Sequence, residues 1–151
     1  MVLSKMEDGN SLVIREFGTD DIDQLVEIEN QAFPKTPYTR ESLLGYARAV
    51  GEGFVVLEKG KDILGYIIFD AEGHVYSTAV KEKHRRKGLG ALLFTYASKH
   101  SRGKLWLEVR SKNSTAISFY KSMGMKTVGR IGNYYGTDDA LIMALKNSAP
   151  R

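Results

Sequence analysis

The sequence predicts an α/β (α+β) fold with one mixed, mostly antiparallel twisted sheet and helices on both of its faces. Strand-like and helix-like segments follow one another in the order β-α-α-β-β-β-α-β-α-β-β. Hairpin signals join strands near the front and the back of the chain, whereas the strands between them alternate with helices. This combination implies a mixed sheet that is covered by helices on both faces.

The first half of the chain supplies four predicted strands and two predicted helices. Residues 1–10 are polar and aperiodic and are expected to form a flexible lead-in, after which residues 11–15 predict the first strand. Thr19 and the acids after it predict the start of a helix that ends near Phe33, and Thr39 predicts the cap of a second helix. Three further strands are predicted, of which the first two form a hairpin, at residues 53–58, 63–69 and 74–80.

The second half alternates helices and strands before a closing strand pair. Apolar residues at i, i+3, i+4 and i+7 from Leu89 predict a helix that packs on the sheet. Residues 104–110 alternate as a strand does, and Asn113 or Ser114 is expected to cap the helix that follows. Gly124 is expected to end that helix, and the last strands are predicted at residues 125–128 and 140–145.

Length and composition describe one ordinary soluble domain, predicted at residues 11–147 and followed by a short tail at residues 148–151. The 151 residues are 42% apolar and 26% charged, and they contain no repeat and no apolar run of about twenty residues. The first residues carry acids instead of an apolar signal core, so a cytoplasmic protein is expected. The chain has no cysteine, which excludes disulfides, thiolate metal sites and a cysteine nucleophile.

A glycine-containing basic turn, Arg85-x-x-Gly88-x-Gly90, lies between an apolar strand and a predicted helix. Glycines allow backbone N–H groups to approach an oxyanion, and the start of the helix adds its positive dipole end. A Walker A loop would need Lys and Ser/Thr after its last glycine, and a dinucleotide fingerprint would need a third glycine; this chain has Ala91 and Leu93 there. The turn therefore predicts a pyrophosphate site of another kind, or a solvated basic loop.

With the strand before it and residues 113–120 behind it, this turn resembles motif A of the Gcn5-related N-acetyltransferases, whose element order the chain resembles along nearly its whole length. Residues 107–124 are similar to the bacterial and archaeal branch that acetylates ribosomal-protein alanine. Residues 73–86 and Asn133-Tyr134-Tyr135 are similar to catalytic subunits of protein N-terminal acetyltransferases. The resemblance implies metal-free transfer of an acetyl group from acetyl-CoA to a polypeptide α-amine, by direct attack in a ternary complex.

The same resemblance implies which residues form the site. Acetyl-CoA binding falls on the end of a strand, the turn, the start of a helix and two later residues: Thr78, Ala79, Val80, Arg85, Arg86, Lys87, Gly88, Leu89, Gly90, Ala91, Asn113 and Tyr120. The residues that the resemblance assigns to peptide binding lie in two loops: Phe33, Pro34 and Tyr38 in one, and Tyr134 and Tyr135 in the other. Lys35 stands where eukaryotic members often carry glutamate, which argues against a preference for acidic N-termini.

In the resemblance to that branch, Glu108 occupies the position of the general base and Tyr120 occupies the position of the general acid. An N-terminal amine has a pKa of about 8, against about 10.4 for lysine, so a carboxylate acting through water is a sufficient base for an α-amine. A tyrosine can give a proton or a hydrogen bond to the leaving thiolate. Three alternatives stay open: Glu108 could pair with Arg110, Tyr120 could be a core residue, and His74 could be a proton relay or a packed or solvated histidine.

Two other functions are compatible with the same residues, namely acetylation of a small amine such as a polyamine or an antibiotic, and acyl-CoA sensing without catalysis. The expected partners are protein N-termini, with ribosomal protein among the candidates, and the protein is expected to be a monomer or a weak homodimer.

Neither nucleic acid nor membrane is expected to bind directly, because much of the +4 net charge lies in the short segment 81–87. No metal is expected, since the three histidines lack ligand spacing. The acid-rich residues 21–32 predict either a solvated face or a docking face.

Overall fold

The computed structural model of the protein describes residues 2–5 and 11–145, and this part of the chain forms eight strands and four helices. The strands are β1 Val2–Lys5, β2 Ser11–Glu16, β3 Phe54–Lys59, β4 Asp62–Phe69, β5 Val75–Val80, β6 Trp106–Arg110, β7 Lys126–Ile131 and β8 Ala140–Ala144. The helices are α1 Ile22–Ala32, α2 Arg40–Val50, α3 Leu89–His100 and α4 Ser114–Ser122. Of these four helices, none has the length and the apolar character needed to cross a membrane.

The strands are hydrogen bonded in two groups. β1 to β5 form one sheet in sequence order, and the pairs β1–β2, β2–β3 and β3–β4 are antiparallel. β6, β8 and β7 form a second, antiparallel sheet in that order. The α/β class and the mostly antiparallel pairing are confirmed, but the strands do not form the one sheet that was expected. Alternation along a strand shows which face is buried and not which neighbour its edge bonds, so the sequence could not separate the two sheets.

The chain divides into two compact units. The first contains β1 to β4, most of β5, both early helices and the first part of α3. The second contains residues 70–75 and the described residues from 97 onward. The predicted domain bounds at residues 11 and 147 stay predictions, and the predicted tail at 148–151 lies outside the described residues.

The core of the first unit is built from α1, α2 and the β3–β4 hairpin. Ile22, Leu25 and Ile28 recur at three-residue spacing on α1 and therefore share one face of that helix. β3 and β4 are buried along almost their whole length, which explains why their sequences are continuous apolar runs. The cluster also contains Leu43, Phe54, Val56, Ile63, Tyr66 and Ile68.

Three of the predicted helix ends are confirmed. The side chain of Thr39 accepts a hydrogen bond from the N–H of Ser42 at the start of α2, and the side chain of Asn113 accepts one from the N–H of Ala116 at the start of α4. Gly124 has a φ of +95°, and its N–H donates to the carbonyl of Lys121 as α4 ends.

Two features of the N-terminal part differ from the prediction. The pattern missed β1, which pairs with β2; this strand is short and lies at the edge of the sheet, and the rest of the expected lead-in, residue 1 and residues 6–10, lies outside the described residues. Thr19 does not cap α1. Residues Thr19–Asp21 form a 3-10 turn, and Asp21 receives hydrogen bonds from the N–H of Gly18 and from Arg15. Because the carboxylate of Asp21 is hydrogen bonded to the guanidinium of Arg15, it does not cap α1.

Candidate active site

Glu108 lies on β6 and is hydrogen bonded to a histidine that is 34 residues earlier in the chain. Leu107 and Val109 are buried, and the residues that alternate with them, Trp106, Glu108 and Arg110, are half-buried, as the alternation predicts. The Oε2 atom of Glu108 lies 2.8 Å from Nε2 of His74, and the two side chains are 19% and 18% exposed. Glu108 therefore keeps access to solvent while one partner holds its carboxylate.

The imidazole of His74 is also stacked on Trp106, the only tryptophan of the chain. The two ring centroids are 4.0 Å apart and the planes differ by 8°. The Nη1 atom of Arg110 lies 3.7 Å from Oδ2 of Asp138 and not beside Glu108. The alternative that Glu108 forms an ion pair with Arg110 is thus wrong, and His74 is packed and hydrogen bonded.

Gly73 places His74 beside β6. Its φ is +89°, and a Cβ atom at this position would lie 1.2 Å from the carbonyl oxygen of Lys104. The carbonyl of Gly73 accepts a hydrogen bond of 2.9 Å from the N–H of Trp106, and a parallel bridge joins His74 to Trp106. Only glycine allows so close an approach of two backbones at this φ. A glycine directly before a histidine was the signal that sequence reasoning did not use.

Tyr120 is half-buried on α4, and its hydroxyl is removed from water. Burial raises the pKa of Tyr120 to about 12, and the neighbouring Tyr135 contributes less. The ring of Phe119 packs edge-on against it, with centroids 5.4 Å apart. At neutral pH this hydroxyl keeps its proton and can donate it or share it in a hydrogen bond. The position suits a general acid, and a packing role for the ring remains compatible with it.

Tyr135 belongs to the loop between β7 and β8 and lies within electrostatic reach of the predicted base. Burial and the negative charge of Glu108 raise the pKa of Tyr135 to about 12. The guanidinium carbon of Arg110 lies 4.2 Å from the centre of the Tyr135 ring, and the N–H of Tyr135 donates to the carbonyl of Asp138. Tyr134 is 50% exposed and packs edge-on against Tyr135. Arg110 therefore contacts a predicted peptide-binding residue, a contact that the sequence did not predict although Arg110 shares a face of β6 with Glu108.

The other predicted peptide loop, residues 33–38, is tied to β5 within the first unit. Phe33 is half-buried and Pro34 is exposed. The N–H of Tyr38 donates to the carboxylate of Glu29 at 3.0 Å, and the Tyr38 hydroxyl donates to the carbonyl of Tyr76 at 3.2 Å. Both ends of Tyr38 are therefore held.

The predicted acetyl-CoA residues of the first unit follow one another from β5 into α3. Thr78, Ala79 and Val80 are half-buried at the end of β5, where the Thr78 hydroxyl donates to the carbonyl of Tyr66. After the strand, the Nε atom of Arg85 donates to the carbonyl of Val80 at 3.0 Å. This hydrogen bond fixes the start of the basic turn against the strand end.

The turn itself is exposed and has the backbone that an anion site needs. Arg86 and Gly88 have φ values of +65° and +79°, and Lys87 between them is exposed. The N–H of Leu92 donates to the carbonyl of Gly88, so the N–H groups of the first helical turn, at Leu89, Gly90 and Ala91, precede the first α-helical bond. Left-handed residues before a helix start can direct successive N–H groups to one side, which fits a pyrophosphate.

Positive charge is dense around this turn. Burial lowers the pKa of His84, and the nearby Lys87, Lys59 and Lys81 lower it further. An anionic ligand would relieve this repulsion.

Asn113, the remaining predicted acetyl-CoA contact, is exposed and uses its side-chain oxygen as the cap of α4. In the parts of the chain that the structure describes, no group of three or more His, Cys, Asp or Glu side chains is arranged to hold a metal ion.

Comparison with known proteins identifies the fold that carries these residues. The model of the acetyltransferase (GNAT) family matches residues 22–125. The chain belongs to the GNAT family. This match includes β5, the basic turn, β6 and α4, so His74, Glu108 and Tyr120 lie inside the matched segment, whereas Tyr134 and Tyr135 lie beyond it.

Three curated relatives resemble this GNAT chain over most of its length. An uncharacterized N-acetyltransferase of Methanocaldococcus jannaschii is 36% identical, over 89% of this chain and 92% of the relative. An N-alpha-acetyltransferase of Sulfurisphaera tokodaii is 30% identical, over 95% and 98%. The ribosomal protein bS18-alanine N-acetyltransferase of Escherichia coli is 32% identical, over 87% and 95%. Among solved structures, Naa20 of Chaetomium thermophilum in complex with a bisubstrate analogue has a TM-score of 0.78 and 26% identity, over 90% of this chain and 88% of that one.

Proposed function

We propose that this GNAT protein transfers the acetyl group of acetyl-CoA to the N-terminal α-amine of a protein or peptide. The observation that carries the proposal is the half-buried Glu108, hydrogen bonded to His74 and within electrostatic reach of Tyr135. A carboxylate that is held in place and still reaches solvent can accept the proton of an α-amine, directly or through water. The names of the relatives support the same substrate class, since two are N-alpha- or alanine N-acetyltransferases.

Acetyl transfer would proceed by direct attack. The neutral amine nitrogen bonds to the thioester carbonyl carbon, and the carbon–sulfur bond breaks. Glu108 accepts the proton that the amine loses, directly or through water, and His74 keeps its carboxylate in place. Tyr120 supplies the proton that the departing thiolate gains and recovers one from solvent. An amine with a pKa of about 8 is already partly neutral at pH 7, so this base need not be strong.

The chain's own residues divide the binding of the two substrates. The backbone of Thr78, Ala79 and Val80 would hold the acetyl and pantetheine portion, and the segment from Arg85 to Ala91, whose first four residues are exposed, would hold the pyrophosphate. Asn113 would bond the pantetheine arm through its amide N–H, since its oxygen is used by the cap of α4. The peptide contacts would come from Phe33, Pro34 and Tyr38 in one loop and from Tyr134 and Tyr135 in the other.

The first experiment measures release of thiol from acetyl-CoA with peptides that differ in their first two residues, including one that begins with alanine. Spermidine and free lysine serve as small-amine controls. We expect turnover on selected peptides that is abolished when their α-amine is blocked. Turnover on spermidine alone would favour the small-amine alternative, and acetyl-CoA binding without any turnover would favour the sensor. A ribosomal-protein target, a cytoplasmic location, the absence of direct nucleic-acid or membrane binding, and a monomeric or weakly dimeric state stay predictions.

A further inference from the structure

Glu29 is a buried carboxylic acid that the proposed acetyl transfer does not use. It lies on α1 and is 2% exposed, although the acid-rich face of this helix was expected to be open to solvent or to a partner. Its neighbours in sequence on the buried face are Leu25 and Ile28, which are fully buried. Placing a carboxyl group in such a core is costly unless hydrogen bonds compensate for the lost water. A residue of this kind therefore requires a reason that packing alone does not supply.

The carboxyl group of Glu29 links three parts of the first unit. Its Oε1 atom accepts the N–H of Tyr38, the last residue of loop 33–38, at 3.0 Å. Its Oε2 atom accepts the hydroxyl of Tyr66 on β4, which is itself 0% exposed. The Tyr66 oxygen lies 2.9 Å from Oγ of Ser77 on β5, and because Tyr66 donates to Glu29, Ser77 donates to Tyr66. The carboxylate thus connects the loop to two adjacent strands.

The loop is held a second time through the side chain of Tyr38. Its hydroxyl donates to the carbonyl of Tyr76, and its ring lies against Tyr46, whose ring in turn lies against Tyr76, with centroids 5.1 Å and 5.0 Å apart. Tyr76 is two residues before Thr78 on β5. Tyr38 is therefore the point at which loop 33–38 is fastened to the strand that carries the predicted acetyl-CoA contacts.

Burial raises the pKa of Glu29, and the hydrogen bonds from Tyr66, from the backbone of Tyr38 and from Ser77 oppose that rise. Removal of the carboxyl group would leave Tyr38 and Tyr66 without this acceptor. One donor is the backbone N–H of a loop and the other a hydroxyl in the core. Their different positions allow a functional effect on the loop to be separated from a general loss of stability.

We propose that Glu29 is a positioning residue for the peptide substrate: its carboxyl group fixes Tyr38 and thereby holds loop 33–38 in the conformation that receives the peptide. The inference rests on the proposed function for its consequence in catalysis, but the anchoring of Tyr38 can be measured without any substrate. A preformed loop lowers the conformational entropy that peptide binding must remove. Loss of the anchor should therefore weaken peptide binding and leave acetyl-CoA binding unchanged.

Three variants test this inference. Glu29→Ala removes both acceptors. Glu29→Gln keeps an acceptor oxygen for the Tyr38 N–H, and its amide can donate to the Tyr66 oxygen. Tyr66→Phe is the matched control, because it removes the hydrogen bond on the core side of the same carboxylate and leaves the bond to Tyr38 in place. The measurements are amide hydrogen exchange at Tyr38, KM and kcat for the best peptide, and the Kd of acetyl-CoA.

We expect Glu29→Ala to lose protection of the Tyr38 amide and to raise the peptide KM about tenfold, the equivalent of one lost hydrogen bond. Its kcat should change less, and its acetyl-CoA Kd should stay within a factor of about two, because no acetyl-CoA contact is altered. Glu29→Gln should restore both the protection and the KM. Tyr66→Phe should lower the melting temperature without changing the peptide KM.

The inference is overturned if Tyr38 stays protected in Glu29→Ala, or if Tyr66→Phe raises the peptide KM as much as Glu29→Ala does, since the effect would then be general destabilisation. Should Glu29→Ala fail to fold, the comparison of Glu29→Gln with Tyr66→Phe decides: a raised KM in Glu29→Gln with retained Tyr38 protection would contradict the inference. If the wild-type protein turns over no peptide, the proposed function fails, and hydrogen exchange at Tyr38 still tests the anchor by itself.

Discussion

At the scale of single residues, Tyr120 is the group whose chemistry is most directly testable. Replacing it with phenylalanine keeps the ring in place and removes the proton that the leaving thiolate is proposed to receive. We expect kcat to fall about 10²-fold, with the Kd of acetyl-CoA nearly unchanged. Steady-state turnover and equilibrium binding measure the two effects. Tyr96→Phe is the matched control, because burial also raises the pKa of that hydroxyl and it lies outside the site; equal losses in both variants would remove Tyr120 from the mechanism.

Glu108 is expected to act as a base, and the pH dependence of a variant can distinguish this role from a structural one. Glu108→Gln keeps a hydrogen-bonding partner for His74 but cannot accept a proton. Activity should fall at pH 7 and recover in part towards pH 9, because an amine with a pKa of about 8 becomes neutral without assistance. The control is Glu58→Gln, which alters another half-buried glutamate, paired with Arg15. Wild-type rates in Glu108→Gln at every pH would show that this carboxylate is structural.

At the scale of elements, the approach of Gly73 to residue 104 is expected to control the position of His74. Gly73→Ala would place a Cβ atom 1.2 Å from the Lys104 carbonyl oxygen, and the alanine would also have to adopt a positive φ, which is unfavourable for a residue with a side chain. We expect a loss of at least about 2 kcal/mol in the free energy of unfolding. Emission from Trp106, the only tryptophan, should change in the folded variant as His74 moves away from it.

Gly103→Ala provides the control for the glycine prediction. Gly103 also has a positive φ, +76°, but no atom lies within 4 Å of the position that its Cβ would take. This variant should lose only about 1 kcal/mol, the cost of the left-handed backbone. Trp106 emission should be as in the wild-type protein. Similar losses in both variants would mean that the close backbone contact at Gly73 does not matter.

The start of α1 is held by an ion pair whose contribution depends on pH. Asp21 is 6% exposed, and its carboxylate receives two hydrogen bonds of 2.8 Å from Arg15 and one from the N–H of Gly18. The hydrogen bonds from Arg15 hold the pKa of Asp21 below its ordinary value. Its stabilisation is therefore fully present above the pKa of an unfolded aspartate, about 3.9, and is lost as the pH falls through the lower folded pKa.

Asp21→Asn is accordingly expected to lose about 2 kcal/mol at pH 7, the usual value for hydrogen bonds to a charged group. The difference from the wild-type protein should shrink below about pH 4, since Asp21 of the unfolded wild-type chain is protonated first and the folded carboxylate only at a lower pH. Urea denaturation at pH 7 and pH 3 measures both values. Asp23→Asn removes the partner of Arg40 from an exposed pair and should cost less than about 1 kcal/mol. A constant difference at both pH values would contradict the ion-pair explanation.

Elements with a clear period were predictable, and contacts between distant segments were not. The alternation of β6 correctly placed Glu108 on the half-buried face, and Thr39, Asn113 and Gly124 marked helix ends through local hydrogen bonds. The partner of Glu108 comes from 34 residues earlier, and no local pattern specifies it. Glu29 was missed for a similar reason: an acid on an acid-rich helix suggests solvent exposure, and only the tyrosines that it meets in the fold account for its burial.

At the scale of the whole molecule, the charge distribution separates the basic turn from the rest of the chain. The chain has 22 basic and 18 acidic residues, and residues 81–87 alone contain five Lys or Arg and one Glu, so the remainder is balanced. Burial lowers the pKa of His84, and the positive charges of Lys87, Lys59 and Lys81 lower it further. A ligand with several phosphates should therefore be attracted mainly by this one segment.

Salt dependence of acetyl-CoA binding tests this assignment. The Debye length falls from about 10 Å at 0.1 M salt to about 3 Å at 1 M, so attraction by exposed cations should be largely screened at 1 M. We expect the Kd of acetyl-CoA to rise about tenfold over this range, which corresponds to about 1.4 kcal/mol of screened attraction. Lys87→Ala should raise the Kd at low salt and flatten its salt dependence, whereas Lys99→Ala, which removes an exposed cation at the far end of α3, should change neither. If both lysine variants behave alike, the attraction comes from the net charge of the protein and the turn is a solvated basic loop; if only Lys87→Ala differs, the turn itself binds the phosphates.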